Sequence, residues 1–164
     1  MSEINNRGPE TEAVTFEELL EKKGVFAYTN VGVSMLPLLR QRRDIIEIRK
    51  KQGRCKKYDV VLYKRGNKYI LHRVLKVREN DYVIVGDHCI WREFGITDDQ
   101  ILGVMTRVIR DGKSIYPTDW KYRLYVHLWC DFYPVRALIL YVKSVLRAVG
   151  HRLKKLIKGG TQPV

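Results

Sequence analysis

Along the chain the period of apolar and polar positions runs from helical to alternating and back to helical. "TFEELLEKKG" predicts a short helix: Thr15 and Glu18 form a capping box at its start, and Gly24 stands past its end as a C-cap. Alternation then takes over. "DIIEIRK" predicts a strand that ends in the basic loop "RKKQGRCKK". "DVVLYKRGNKYILHRVLKV" predicts two strands joined at Gly66 and Asn67, and "ENDYVIVGD" adds another after the turn at Asn80 and Asp81. "ILGVMTRVIRDGKSIY" folds back on Asp111 and Gly112, a strong hairpin signal. The pattern predicts a mostly β protein, an antiparallel meander of roughly five to seven strands.

After Pro117 the chain becomes aromatic-rich and helical. From Arg136 to Lys158, apolar residues fall at 138, 142, 145, 146, 149, 153, 156 and 157, spaced like one helical face, and the cations take the remaining face. The expected organisation is a disordered leader (1–13), a β-rich domain (14–117), and an aromatic and basic helical extension (118–164).

Charge sharpens this picture. The 164 residues carry a formal net charge of +13, unevenly spread. Residues 1–21 are acid-rich, whereas residues 132–164 hold seven Lys or Arg and no acid. Such a block suits an anionic partner, a membrane surface or nucleic acid. "ALILYV", the most apolar late stretch, is far shorter than the ~20 residues a spanning helix needs. The leader reads as neither signal peptide nor anchor, so the expected location is the cytoplasm, with a peripheral membrane contact through the basic helix. Cys55, Cys89 and Cys130 form no zinc pattern and no disulfide framework; no metal cluster and no cofactor motif is visible.

One stretch fits none of these periods. In "GVSMLP" a serine stands between apolar residues, after Gly32 and before Pro37. Glycine weakens a strand and proline cannot donate to a ladder, so a turn presenting the Ser34 hydroxyl accounts for all three residues. A serine hydroxyl becomes nucleophilic only when a base takes its proton. Among His72, His88, His127 and His151, His72 stands out. In "YILHRVLKV" alternation puts Ile70, His72 and Val74 on one face and Leu71, Arg73 and Leu75 on the other. An imidazole between two β-branched aliphatics is half buried, which favours the neutral form that a general base requires. His127 and His151 read as surface residues.

Taken together, "GVSMLP", "DVV" at Asp59–Val61, His72 in "LHRV", and Gly86-Asp87 resemble the serine peptidases of the signal peptidase and SOS-repressor clan. The resemblance covers roughly residues 28–110. It implies a partly closed β barrel, Ser34 as nucleophile and His72 as base, as in the endoplasmic-reticulum and archaeal type of signal peptidase. Lys68 and Lys76 share the face of His72 but lie ~13 Å along the strand, too far to replace it. The family-matched acid to orient the imidazole is Asp87. Where the family has further aspartates this chain has Arg92 and Glu93, which makes Glu93 the alternative acid. Asp98 and Asp99 read as a solvated turn. The chain also lacks the family's glycine before Asp44, which alters a turn.

The resemblance further implies that Met35 packs inward, that the Ser34 N–H serves the oxyanion, and that substrate adds as a strand with small side chains at the scissile bond. The expected activity is therefore a Ser-His endopeptidase that processes a peptide or protein precursor. A self-cleaving or non-catalytic repressor-like domain is the alternative, weakened because no helix-turn-helix precedes the core. A nucleic-acid-binding module is disfavoured, because the basic face has few interleaved aromatics on which bases could stack.

Overall fold

The structure, a computed structural model, describes residues 14–159, and the side chains of residues 14–150. The leader 1–13 and the side chains of His151 and of positions 153, 156 and 157 lie outside the described residues.

Helix α1 (Phe16–Lys23) starts and stops on the residues that predict it. The Thr15 hydroxyl accepts from the Glu18 N–H, and Gly24, at φ 70°, returns its N–H to the Leu20 carbonyl. Eight strands follow: β1 (Val25–Thr29), β2 (Ile45–Lys50), β3 (Val60–Arg65), β4 (Lys68–Val77), β5 (Tyr82–Val85), β6 (Glu93–Ile96), β7 (Ile101–Arg110) and β8 (Lys113–Ile115). All pairings are antiparallel.

The eight strands are one more than the upper expectation, and two of them, β1 and β6, fall where the pattern predicts none, since neither carries a clean alternation. The order also departs from a meander. It runs β1-β2-β7-β3-β4-β5-β6, with β8 on β7, so β7 inserts between β2 and β3. The sheet does not close into a barrel; β1 and β6 remain its ends. One ring nonetheless reaches both β1 and β4: Phe16 of α1 stacks on Phe26 of β1 and meets Tyr69 of β4 edge-on, each at 4.9 Å.

Buried apolar residues form two clusters. One gathers Met35, Leu39, Ile46, Ile48, Val60, Leu62, Leu71 and Met105 under α1 and the C-terminal helices. The other gathers Val61, Tyr63, Val74, Tyr82, Ile84 and Ile96. Alternation along β3 and β4 sorts the residues between them: Val60 and Leu62 to the first, Val61 and Tyr63 to the second. The turn at Gly66 and Asn67 fixes the register, pairing Val61 with His72 and Tyr63 with Ile70.

The C-terminal segment is α2 (Trp120–Val126), a π-helical turn (His127–Asp131) and α3 (Tyr133–Gly159). It is not a separate extension. Tyr122, Val126 and Cys130 join the first cluster, and Arg136 and Leu140 are buried. Of the cations on α3 with described side chains, Arg136 belongs to the interior, while Lys143 and Arg147 are exposed. Beyond Leu140, every side chain from Tyr141 to Val149 is exposed. Among the described residues no helix is long and apolar enough to cross a membrane.

Candidate active site

Ser34 does sit in a turn. After β1 the chain reaches Gly32, whose φ of 110° suits glycine alone, and then winds through one tight coil, with Leu39 N–H on the Met35 carbonyl at 2.8 Å. Met35 is 1 % exposed and anchors the turn in the core, whereas Pro37, after a cis peptide bond, is exposed. Asp44, fully buried, clamps the far end. Its carboxylate accepts from the Arg40 N–H (2.8 Å) and from Arg110 of β7 (2.9 and 2.5 Å). Asn30 ties the near end, its amide donating to the Gly32 carbonyl at 3.4 Å.

His72 reaches the same place from β4. Ser34 and His72 line one cleft of about 660 Å³, bounded by Tyr28, Asn30 and Val31 at the end of β1 and by the β3–β4 hairpin. The loop after β5 runs close against both. The His88 N–H donates to the Ser34 carbonyl at 2.7 Å. A Cβ on Gly86 would stand 2.7 Å from that carbonyl oxygen and 2.9 Å from His72 Nε2. Such distances are below what real Cβ atoms tolerate, so only glycine lets the serine turn and the imidazole approach across this point.

The other ring nitrogen faces an acid. His72 Nδ1 lies 3.2 Å from Glu93 Oε1 and 3.2 Å from the Tyr63 hydroxyl. Tyr63 donates to the same Oε1 at 2.8 Å, and Arg65 holds Oε2 at 2.5 Å. Burial, and then Glu93 beside it, push the Tyr63 phenol far up, so it remains a donor. A carboxylate held by Arg65 and facing Nδ1 suits an imidazole proton on Nδ1, which leaves Nε2 as the acceptor on the side of Gly86. Burial is the largest influence on His72 and lowers its pKa from the usual value; Glu93 pulls the other way without cancelling it.

The structure gives Asp87 a different partner. Asp87 is fully buried and takes Arg73 in a fork, Nε to Oδ1 at 2.9 Å and a terminal nitrogen to Oδ2 at 2.7 Å. Arg73 is the neighbour of His72 on the opposite face, and it also bonds the Tyr58 carbonyl (2.9 Å) and the Tyr122 hydroxyl (3.1 Å). Tyr125 donates to Asp87 at 2.9 Å and the Trp129 indole to the Asp87 carbonyl at 2.8 Å. Asp87 therefore knits α2 to the sheet, and the acid at the imidazole is Glu93.

The remaining sequence candidates disperse. Lys68 lines the cleft at the hairpin end, exposed, while Lys76 lines a separate cleft with Lys57, Arg78 and Arg92. His88 is half buried, and His127 is exposed with Nδ1 on Asp131 at 2.9 Å. Asp59 caps the turn before β3, accepting from the Lys56 N–H at 2.7 Å. Asp98 is more than a solvated turn residue, since Lys51 and Tyr82 both donate to it at 2.7 Å. Cys55, Cys89 and Cys130 are free thiols.

Compared with known proteins, the chain matches no family model, no curated protein and no solved structure. The site thus stands on its own geometry.

Sequence reasoning missed three contributors. Tyr63 was within reach, since the hairpin register puts it on the face of His72. Asn30 and Arg65 had no signal: Asn30 bonds a carbonyl two residues on, which no motif marks, and Arg65 acts through Glu93, brought by another segment.

Proposed function

We propose that the chain is a serine endopeptidase of the Ser-His type resembling signal peptidases, with Ser34 as nucleophile, His72 as general base and Glu93 as the orienting acid. One observation carries the reading: His72 Nε2 and the Ser34 turn converge on the same point over Gly86, while Nδ1 faces a carboxylate. A base with its proton fixed on the far nitrogen is what a serine hydroxyl needs to lose its own.

In this reading the scissile carbonyl lies in the cleft between the end of β1 and the β3–β4 hairpin. Ser34 Oγ attacks it, and His72 takes the hydroxyl proton and returns it to the leaving amine. Glu93 stabilises the imidazolium without taking the proton. The Ser34 N–H is an oxyanion donor, worth several kcal/mol when placed at the developing charge. The precursor peptide adds along the unpaired edge of β1, with small side chains at the bond. The chain needs no cofactor for these steps.

A fluorophosphonate probe, with peptide libraries read by mass spectrometry, tests the reading. Wild-type protein should label at Ser34 and cleave, and Ser34→Ala and His72→Ala should do neither while keeping their circular dichroism. Labelling or cleavage that persists in Ser34→Ala rejects the peptidase reading.

A further inference from the structure

Helix α3 leaves the body at Leu140 with its apolar stripe facing outward. Leu138, Val142, Val145, Leu146 and Val149 fall within an arc of about 100° on a helix that turns ~100° per residue. All five are exposed, by 42–64 % of their surface. Arg136 and Leu140, which lie on the far side of the helix, are the residues turned into the protein. Arg136 donates to the Cys89 carbonyl at 2.8 Å, and Tyr133 donates to the Ile90 carbonyl, so the helix is rooted in the loop after β5. Lys143 and Arg147 continue the row of Arg136 and are exposed. The usual arrangement of a surface helix, apolar side in, is reversed.

We infer that α3 docks in the plane of an anionic membrane surface, with Leu138, Val142, Val145, Leu146 and Val149 in the acyl boundary and its cations at the phosphates. Charge complementarity selects this occupant. From residue 132 onward the sequence holds seven cations, the buried Arg136 among them, and no acid, so two copies of this helix brought together repel each other with no acid on either to offset it. Nucleic acid takes the cations but has no use for an outward aliphatic stripe, whereas a bilayer edge takes both. The helix lies on the surface and does not span it. The inference rests on α3 alone and is independent of the peptidase reading.

The test uses the full chain. Co-sedimentation is measured with phosphatidylcholine vesicles containing about one-third phosphatidylserine, and with phosphatidylcholine alone, across a salt series. Two double variants, Val142→Glu with Leu146→Glu and Lys143→Glu with Arg147→Glu, change exposed positions only; melting curves confirm that they fold. The expected result is binding to the anionic vesicles that weakens with salt. The stripe variant loses it, and the cation variant loses at least about 25-fold, from roughly five-fold per cation. No binding, or binding that the stripe variant keeps, overturns the inference. So does a dimer in sedimentation velocity that Val142→Glu with Leu146→Glu dissolves, which assigns the stripe to a second copy. Tight RNA binding without vesicle binding overturns it as well.

Discussion

His72 and Arg73, adjacent in β4, point to opposite faces of the sheet, and each has its own carboxylate. Glu93 stands 3.2 Å from His72 Nδ1, and Asp87 forks onto Arg73 at 2.7 and 2.9 Å. One carboxylate cannot serve both, because the pleat separates them. The two acids therefore have separable tasks.

Glu93→Gln should cut kcat by roughly 10²–10⁴-fold, the range for losing a positioned proton partner, with little change in Tm. Asp87→Asn should do the reverse. It leaves the buried Arg73 charge without its counter-ion, a loss of about 3–5 kcal/mol read by urea denaturation. Equal Tm values for wild type and Asp87→Asn would show that the fork is not needed for the fold.

The pH profile follows from the burial of His72. The imidazole must be neutral to accept the Ser34 proton, and burial lowers its pKa below the usual value of ~6.5. The acid limb of kcat/KM should therefore have its midpoint below that value. Glu93 raises the His72 pKa, so Glu93→Gln should move the midpoint lower still. Stability carries the same sign. As pH falls below ~6.5 the unfolded chain binds this proton first, and the His72 contribution erodes until the folded pKa is passed. A midpoint well above 6.5 in a steady-state profile rejects a buried neutral base.

Gly86→Ala should uncouple the nucleophile from the base. The new methyl meets the Ser34 carbonyl oxygen at 2.7 Å, and that oxygen is backbone already held by the His88 N–H. It also meets His72 Nε2 at 2.9 Å. The strain should cost ~1–3 kcal/mol in stability, and a displacement of about 1 Å should lower kcat roughly 10²-fold. Fluorophosphonate labelling rates on the refolded variant measure it; unchanged labelling places the serine turn elsewhere.

Acid should release the serine turn through Asp44. Burial works to raise its pKa, but the Arg110 fork and the Arg40 N–H prevail and hold it below the ordinary carboxylate value of ~3.9. A lowered folded pKa gives stability that is complete above the unfolded value and lost as pH falls through the folded one. Asp44→Asn should lose ~1–3 kcal/mol at neutral pH, and its stability should vary less below pH ~4 than that of wild type. Parallel acid-melting curves for the two proteins refute this.

The sequence by itself determined what is local. Thr15 and Gly24 bounded α1, Gly66-Asn67 and Asp111-Gly112 set two hairpins, and Gly32 with Pro37 made a turn of the serine segment. Alternation put Ile70, His72 and Val74 together because a strand repeats every two residues whatever lies across it.

What stands across from each face was decided by tertiary structure. β6, a short "EFGI" with glycine inside, has no periodic signature, and only its pairing to β5 brings Glu93 to His72. Similarity by spacing favoured Asp87, and burial of the neighbouring Arg73 claimed it. For α3 the spacing told which residues share a stripe but not where that stripe faces. A helix is free to rotate about its axis until something buried fixes it, and Arg136 and Leu140 do so here. Periodicity belongs to a segment of chain; partnership and orientation belong to the packing of segments far apart in sequence.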